Sequence, residues 1–218
     1  MFFGIDHLVV AGTRSDHASL GARLGPCGFV PVPGRLRFDE IGAHSESLAY
    51  ARGAFVEVVY EVVEGQAPRV WFDGAVPRLM GIGVSSDDFD RDTAGWEWTM
   101  DEEQVLDDGS TLRIHAAGPH EHLSSLYLFA MDRPDRVLDH PGQGGTARLV
   151  ELRFEGREHL RWRRRVERWL GRADAVGDVE LRFVPGECAG IAVTPVFAVT
   201  GGAGWVELAA GAIELVAG

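Results

Sequence analysis

A short apolar strand that runs into a polar turn and then a helix is the pattern that most restricts this chain, because it occurs three times. The first copy is residues 4–12, which hold His7 in their middle and lead into the turn 13–16. Further copies begin at 79–84 and 148–154. Runs of this length that are rich in β-branched residues and bounded by turn formers are typical of buried strands. The chain is therefore expected to consist of repeated units that each begin with strand and helix.

Each copy is followed by extended segments and ends in a final apolar strand. The three closing runs are Phe55–Tyr60, Leu126–Ala130 and Ala212–Val216. Stretches containing Gly and Pro at 64–68 and 139–145 separate the copies, as linkers do. The pattern predicts three βαβββ-like units, at residues 1–64, 76–132 and 146–218. It predicts few helices, near 17–24, 89–96 and 158–170.

The composition supports this class and excludes several partners. The 28 Gly and 10 Pro residues favour tight turns and short strands over a helical bundle. A formal net charge of −12 argues against nucleic acid or an anionic membrane as the main partner. No apolar run approaches the ~18 residues of a membrane span, and the N-terminus lacks the basic start of a signal peptide. Cys27 and Cys188 match no metal or redox spacing, so reduced thiols in a cytoplasmic protein are expected.

One imidazole and one carboxylate are the first candidates for chemistry. Because strand side chains alternate between faces, His7 is expected to share a face with Ile5 and Val9. Glu57 lies inside the apolar closing strand of the first unit, where an ionised carboxylate is costly unless it meets a cation or hydrogen-bond donors. His7 could be that partner, or the two side chains could hold a divalent transition metal together.

Several stretches of the chain resemble one known family in order and spacing. They are Ile5–Val10, Gly42–Ser45, Phe55–Val59, Asp108–Arg113 and His140-Pro141. They are similar to glyoxalase-like domains of the vicinal oxygen chelate superfamily. The resemblance implies an α+β fold in which βαβββ units pair, so that their sheets curve into an open barrel around a cavity with few helices outside. In catalytic members each module supplies one metal ligand from its first strand and a Glu from its last, and the metal keeps positions for two neighbouring substrate oxygens.

Residue by residue, the resemblance implies His7 and Glu57 as ligands from the first unit. The middle unit has Gly81 at the His7 position and no ligand on its closing strand. The third unit offers Glu151 at the position of His7 and Glu214 at that of Glu57. These four side chains are the expected ligands of a divalent ion, which could be zinc, nickel, iron or manganese. The alternative places Glu151 and Glu214 on the solvent face of edge strands.

His44, at the start of the third strand, is the expected catalytic side chain, as ligand, base or donor; alternatively it lies in water at the mouth of a strand. The resemblance implies a metal-dependent lyase, isomerase or dioxygenase that acts on a small oxygen-rich molecule. One alternative is a non-catalytic protein that binds a small molecule in a pocket with aromatic walls, from Trp71, Trp96, Trp98 and Tyr127. Another is a scaffold without metal, in which a buried histidine–carboxylate contact is merely structural. Monomer and homodimer are both expected forms, because relatives pair their modules within or between chains.

Overall fold

The computed structural model describes residues 2–38, 43–49, 54–61, 76–105, 109, 111–119, 126–133, 145–209 and 211–218. The predicted linkers at 64–68 and 139–145 lie largely outside these ranges. The helices are α1 (Arg14–Leu24), α2 (Phe89–Asp92) and α3 (His159–Leu170). The first eight strands are β1 (Phe2–Gly12), β2 (Val30–Phe38), β3 (Ala43–Ala49), β4 (Phe55–Glu61), β5 (Arg78–Ser86), β6 (Trp98–Val105), β7 (Thr111–Gly118) and β8 (Tyr127–Asp132). The last six are β9 (Arg148–Glu155), β10 (Ala175–Val176), β11 (Val179–Val184), β12 (Ala192–Val199), β13 (Gly204–Glu207) and β14 (Ala212–Ala217).

The first eight strands form one mixed sheet in the order β2-β3-β4-β1-β5-β8-β7-β6. In each half the closing strand returns parallel to the opening strand, β4 beside β1 and β8 beside β5. The two halves meet where β1 and β5 run antiparallel. This is the strand order of two paired βαβββ modules, and it confirms the predicted fold class.

The sheet curves until its two outer strands nearly meet. The backbone N–H of Arg37 in β2 donates to Oε1 of Gln104 in β6 at 3.0 Å. The inner face is largely apolar, and the ring of Phe129 packs against both of its hydrophobic clusters. On the outer face Leu20 and Leu24 of α1 pack into the main core. The result is a nearly closed barrel with its helices outside.

Helix α1 begins where its sequence supplies a capping box. The hydroxyl of Thr13 accepts from the backbone N–H of Asp16 at 3.2 Å, and Asp16 Oδ2 accepts from the backbone N–H of Thr13 at 2.7 Å. These bonds satisfy two donors at the helix start, so α1 begins before the expected position 17. Helix α3 buries Trp162, Val166 and Leu170, as the 3.6-residue spacing predicts.

Residues 148–217 form a separate sheet of six strands, in the order β10-β11-β9-β12-β14-β13. Strand β11 runs parallel to β9, β14 runs parallel to β12, and β9 and β12 meet antiparallel. This arrangement repeats that of the first sheet with one outer strand missing from each half. The expected single third unit therefore differs from the structure, because β12 opens a second half instead of continuing the first. The unit boundaries themselves remain a prediction.

One hydrophobic core joins the two sheets. It contains Leu8 and Val56 of the first sheet, Leu152 and Phe197 of the second, and the buried face of α3. The rings of Phe29 and Phe197 meet edge to face at 4.9 Å between centroids. The second sheet thus supports the outer face of the barrel and leaves the inner face to the site. In the described part of the chain, no helix is long and apolar enough to cross a membrane.

Candidate functional site

A break in the regular pairing of β1 and β5 brings Asp6 and His7 together. Ile5 pairs with Val84 and His7 pairs with Gly83, so Asp6 is the additional residue of a bulge. Ile5 accordingly packs in the core on the outer side, whereas His7 lies on the inner side with Val9. The expectation that Ile5 and His7 share a face is wrong, because the bulge changes the alternation between them.

The carboxylate of Asp6 is buried and accepts four hydrogen bonds. His7 Nδ1 donates to Oδ1 at 2.7 Å, and the hydroxyl of Ser85 donates to Oδ2 at 3.1 Å. Arg133 donates from Nε to Oδ2 at 2.7 Å and from Nη2 to Oδ1 at 3.1 Å. Burial by itself raises the pKa of Asp6, but the hydrogen bond from His7 and the charge of Arg133 hold that pKa well below its ordinary value of 3.8. Asp6 is therefore an ionised carboxylate that fixes the imidazole at Nδ1.

The other imidazole nitrogen is directed at Glu57. His7 Nε2 lies 3.5 Å from Glu57 Oε2, and both side chains are 8% exposed. The register supports this contact, because Val9 pairs with Glu57 and His7 pairs with Phe55 across the parallel strands β1 and β4. The ring of Phe55 stacks on the imidazole at 4.8 Å between centroids and 10° between planes. Asp6, His7 and Glu57 thus form a line of three ionisable groups with aromatic packing along one side.

The corresponding place in the second half of the barrel holds a phenyl ring. Phe129 of β8 meets His7 edge to face at 5.1 Å between centroids. Its ring lies over two glycines of β5: a Cβ atom built on Gly81 or Gly83 would come within 3.2 or 3.1 Å of it. A side chain at either position would force that ring to shift by a few tenths of an ångström, so the glycines give the ring its present position.

A catalytic metal of the expected kind needs more donors than this arrangement supplies. The separation of His7 Nε2 and Glu57 Oε2, 3.5 Å, is near the roughly 3.3 Å between two ligands of one tetrahedral zinc. Catalytic sites, however, use three protein ligands. The described residues contain no group of three or more His, Cys, Asp or Glu side chains that could hold a metal. His7 and Glu57 therefore fit half of such a site, and these residues do not complete it.

The other expected site residues lie elsewhere. His44 pairs directly with Tyr60, whose ring is 6.0 Å away, and Tyr60 is buried on the outer face of the sheet. His44 is therefore on the face opposite to His7, because β3 presents Ala43 and Ser45 to the inside. The expectation that His44 lines the cavity is wrong.

Glu151 and Glu214 lie in the second sheet and share a cation. Arg153 Nη2 lies 2.8 Å from Glu151 Oε1, and its Nη1 donates to Glu214 Oε2 at 2.7 Å. Both carboxylates are partly buried on inner strands of that sheet, so they are neither at its edges nor beside His7. The expected four-ligand site does not form, because β9 and β14 belong to a different sheet from β1 and β4.

Of the expected aromatic walls, Trp98 packs toward the barrel interior, 6.4 Å from Phe129 between centroids. Trp96 instead stacks on Phe2 against the main core. Trp71 lies outside the described residues. The sequence did not indicate Arg133 or Ser85 as site residues, and only the adjacency of Asp6 and His7 pointed to the hydrogen bond between them.

Several solved structures share the fold of this chain. This chain has the fold of the vicinal oxygen chelate superfamily, which confirms the resemblance at the level of the fold. A mutant of 4-hydroxymandelate synthase from Streptomyces coelicolor matches with a TM-score of 0.59 and 15% identity, over 91% of this chain and 72% of that one. A TIM barrel/4-hydroxyphenylpyruvate dioxygenase fusion protein matches with a TM-score of 0.59 and 16% identity, over 91% of this chain and 36% of that one.

A hypothetical protein from Staphylococcus aureus is similar along its whole length. Its TM-score is 0.68 at 6% identity, over 98% of each chain, so its fold includes a counterpart of the second sheet. No protein-family model and no curated protein sequence matches the chain. At these identities the likeness concerns the fold.

Proposed function

We propose that the barrel binds a small molecule and that His7 moves a proton to or from it, as in an isomerase or lyase. The observation that carries the proposal is the buried line Asp6–His7–Glu57 on the inner face of the barrel. Buried ionisable groups in an apolar environment are the usual elements of general acid–base catalysis. A small molecule with neighbouring oxygens is the proposed substrate class, because proton abstraction beside a carbonyl leaves charge on oxygen.

The two ends of the imidazole have different roles in this proposal. Nδ1 donates to Asp6, so in the neutral ring Nε2 carries the lone pair and is the proton acceptor. Asp6 also stabilises the imidazolium that forms when Nε2 takes a proton. Glu57, 3.5 Å from Nε2, is the second group able to accept or return that proton. A positioned acid–base group of this kind contributes about 10²–10⁴ to a rate.

The lining of the barrel sets the chemistry of the rest of the ligand. The residues that pack around His7 and Phe129 on the inner face are mostly apolar, and they include Val9, Val59, Met80, Met100, Ile114 and Met131. Such a lining with a few convergent polar groups is typical of small-molecule sites. The proposed ligand therefore has an apolar body and one oxygen-bearing end, which faces His7 and Glu57.

Solvent-deuterium exchange tests the proposal without a known product. The protein is incubated in D₂O with a panel of 2-hydroxy acids, 2-keto acids and 1,2-diketones, and loss of each α-proton is followed by NMR. We expect catalysed exchange for at least one class, abolished by His7→Gln and reduced by Glu57→Gln.

His115→Gln is the matched control. His115 Nδ1 and Asp132 Oδ2 are 2.9 Å apart, so this pair has the geometry of His7 and Asp6 but packs against Phe89 of α2. This variant should exchange as the wild type does. Thermal stabilisation by a compound that shows no exchange would favour the non-catalytic binder over the enzyme.

A metal-dependent reaction is the second candidate. It is favoured by the 3.5 Å between His7 Nε2 and Glu57 Oε2, which is close to the distance between two ligands of one metal ion. Protein purified without chelator would then contain one divalent metal per chain and would lose it in His7→Ala. Manganese, iron, nickel or zinc would also raise its melting temperature. If none of these occurs, the metal-dependent reading fails and the acid–base reading is unaffected.

A further inference from the structure

The second half of the barrel contributes to the site through Arg133. This residue follows β8 directly, and its backbone N–H donates to the carbonyl of Ser86 at the end of β5. From there its guanidinium reaches Asp6 in β1 and pairs with both carboxylate oxygens, at 2.7 and 3.1 Å. Two parallel bonds of this kind fix the plane of a carboxylate as well as its position.

The plane of Asp6 in turn decides which imidazole nitrogen carries hydrogen. Oδ1 accepts from both Arg133 Nη2 and His7 Nδ1, and Oδ2 accepts from Arg133 Nε and Ser85. An ionised carboxylate has no hydrogen to donate, so His7 must supply the hydrogen at Nδ1. We infer that Asp6 and Arg133 are positioning residues that hold His7 as the Nδ1–H tautomer, which leaves the lone pair at Nε2 as the proton acceptor.

The catalytic role of this tautomer rests on the proposed function, but the tautomer itself can be measured independently of that function. The tautomer is read from the ¹⁵N shifts of the imidazole in protein without substrate, where a protonated nitrogen and a lone-pair nitrogen are well separated. The proposed function can therefore fail in the exchange assay while the tautomer is still established, and the reverse also holds.

Asp6→Asn is the decisive variant because it keeps the shape and replaces one oxygen by NH₂. Arg133 donates to both carboxylate oxygens, so the NH₂ group meets one of its donors in either orientation. The orientation that keeps the shorter bond, from Nε at 2.7 Å rather than from Nη2 at 3.1 Å, turns the NH₂ group toward His7 Nδ1. His7 must then accept at Nδ1 and carry its hydrogen at Nε2. We expect the tautomer to invert, and catalysed exchange to fall by a factor on the order of 10⁴, as for other histidines held in the wrong tautomer.

Arg133→Met tests the arginine separately. Without the two bonds from Arg133 the carboxylate can rotate and turn away from His7 Nδ1. In molecules where it does so, nothing holds the hydrogen at Nδ1, so both tautomers become populated. Exchange should fall by about 10–100-fold, the usual effect of removing a partner of a site residue. Arg133→Lys restores the charge without the two parallel bonds and should remain defective.

Arg113→Met is the matched control, because Arg113 makes the same pair of bonds to Asp101, at 2.8 and 2.9 Å, on the exposed side of β6 and β7. It should leave the His7 shifts and the exchange rate unchanged. A wild-type His7 protonated at Nε2 alone or at both nitrogens would overturn the inference. So would an Asp6→Asn variant that keeps the Nδ1–H tautomer, or an Arg133→Met variant with wild-type shifts.

Discussion

Gly83→Ala tests how tightly the second half of the barrel is filled. The new Cβ would lie 3.0 Å from His7 Cε1 and Nδ1 and 3.1 Å from Phe129 Cε2. His7 cannot retreat freely, because it is stacked on Phe55 and hydrogen-bonded to Asp6. The ring of Phe129 packs against both hydrophobic clusters of the inner face. One added methyl group in a packed core costs about 1–3 kcal/mol when its neighbours cannot move.

Gly204→Ala is the reference for this substitution. Gly204 begins β13, and a Cβ there has no heavy atom within 4 Å. Both variants lose the same flexibility of the unfolded chain, which by itself stabilises by about 0.4–1 kcal/mol. The difference between the two variants therefore isolates the collision. Urea denaturation should place Gly83→Ala about 1–3 kcal/mol below Gly204→Ala.

A second substitution identifies the neighbour that resists. Phe129→Leu removes the ring atom at 3.1 Å, so Gly83→Ala should cost less in that background, with a coupling of about 0.5–3 kcal/mol. If Gly83→Ala is as mild as Gly204→Ala, the ring of Phe129 does not fill this space. The claim that this ring occupies the place of a second pair of ligands is then refuted. If the cost is the same in both backgrounds, His7 alone provides the resistance.

Three further predictions concern charge and polar packing. Because the pKa of Asp6 is lower in the folded chain than its ordinary value of 3.8, its ionisation stabilises the fold above about pH 4 and this contribution is lost as pH falls. The difference in unfolding free energy between wild type and Asp6→Asn, measured by urea titration, should therefore shrink below about pH 4; a constant difference would contradict it. Tyr60→Phe removes a 2.6 Å hydrogen bond from a buried hydroxyl to Glu46 Oε1 and should cost about 1–2 kcal/mol in the same assay, whereas an unchanged midpoint would contradict it. Phe129→Glu places a third possible ligand beside His7. Zinc at a hundred times the Kd of this variant should therefore stabilise the variant by about 2.7 kcal/mol, and the same zinc concentration should stabilise the wild type by less. Equal shifts would refute this.

Much of the first sheet follows from patterns that are local in sequence. Apolar runs with β-branched residues give β1, β4, β5 and β8. The pairing of modules was implied by the family resemblance, and the sequence did not indicate which two units pair. Alternation along β4 puts Glu57 on one face with Phe55. These inferences succeed because burial of an apolar face is encoded within each segment.

The parts that sequence reasoning missed depend on contacts between distant segments. The bulge at Asp6 exists only in relation to β5, and it reverses the alternation that places Ile5 with His7. Arg133 reaches Asp6 across 127 positions of the chain. His44 was assigned to the cavity by a short motif, although its register against Tyr60 in β4 decides its face.

The last stretch of the chain shows a related limit. Its pattern of strand, helix and further strands matches one βαβββ unit, and neither Glu151 nor Glu214 carries a local sign of its sheet. Which strand begins a new half depends on the pairing of β12 with β9, because an antiparallel neighbour ends one half and opens the next. Glu214 is then beside Arg153, and the arithmetic that aligns it with Glu57 has no spatial meaning.

The two halves of the barrel carry different inner side chains because the space between their opening strands is limited. Paired modules bring their opening strands together, so the inner residues of β1 and β5 face each other at the centre, with His7 beside Gly83 and Val9 beside Gly81. Two full sets of polar side chains there would have to be satisfied by a metal or by each other. In this chain one half keeps the imidazole and carboxylate, and the other supplies the ring of Phe129 inside and the arginine that orders Asp6. A single histidine held in one tautomer needs both contributions, which is why the glycines of β5 and Arg133 belong to the site as much as His7 does.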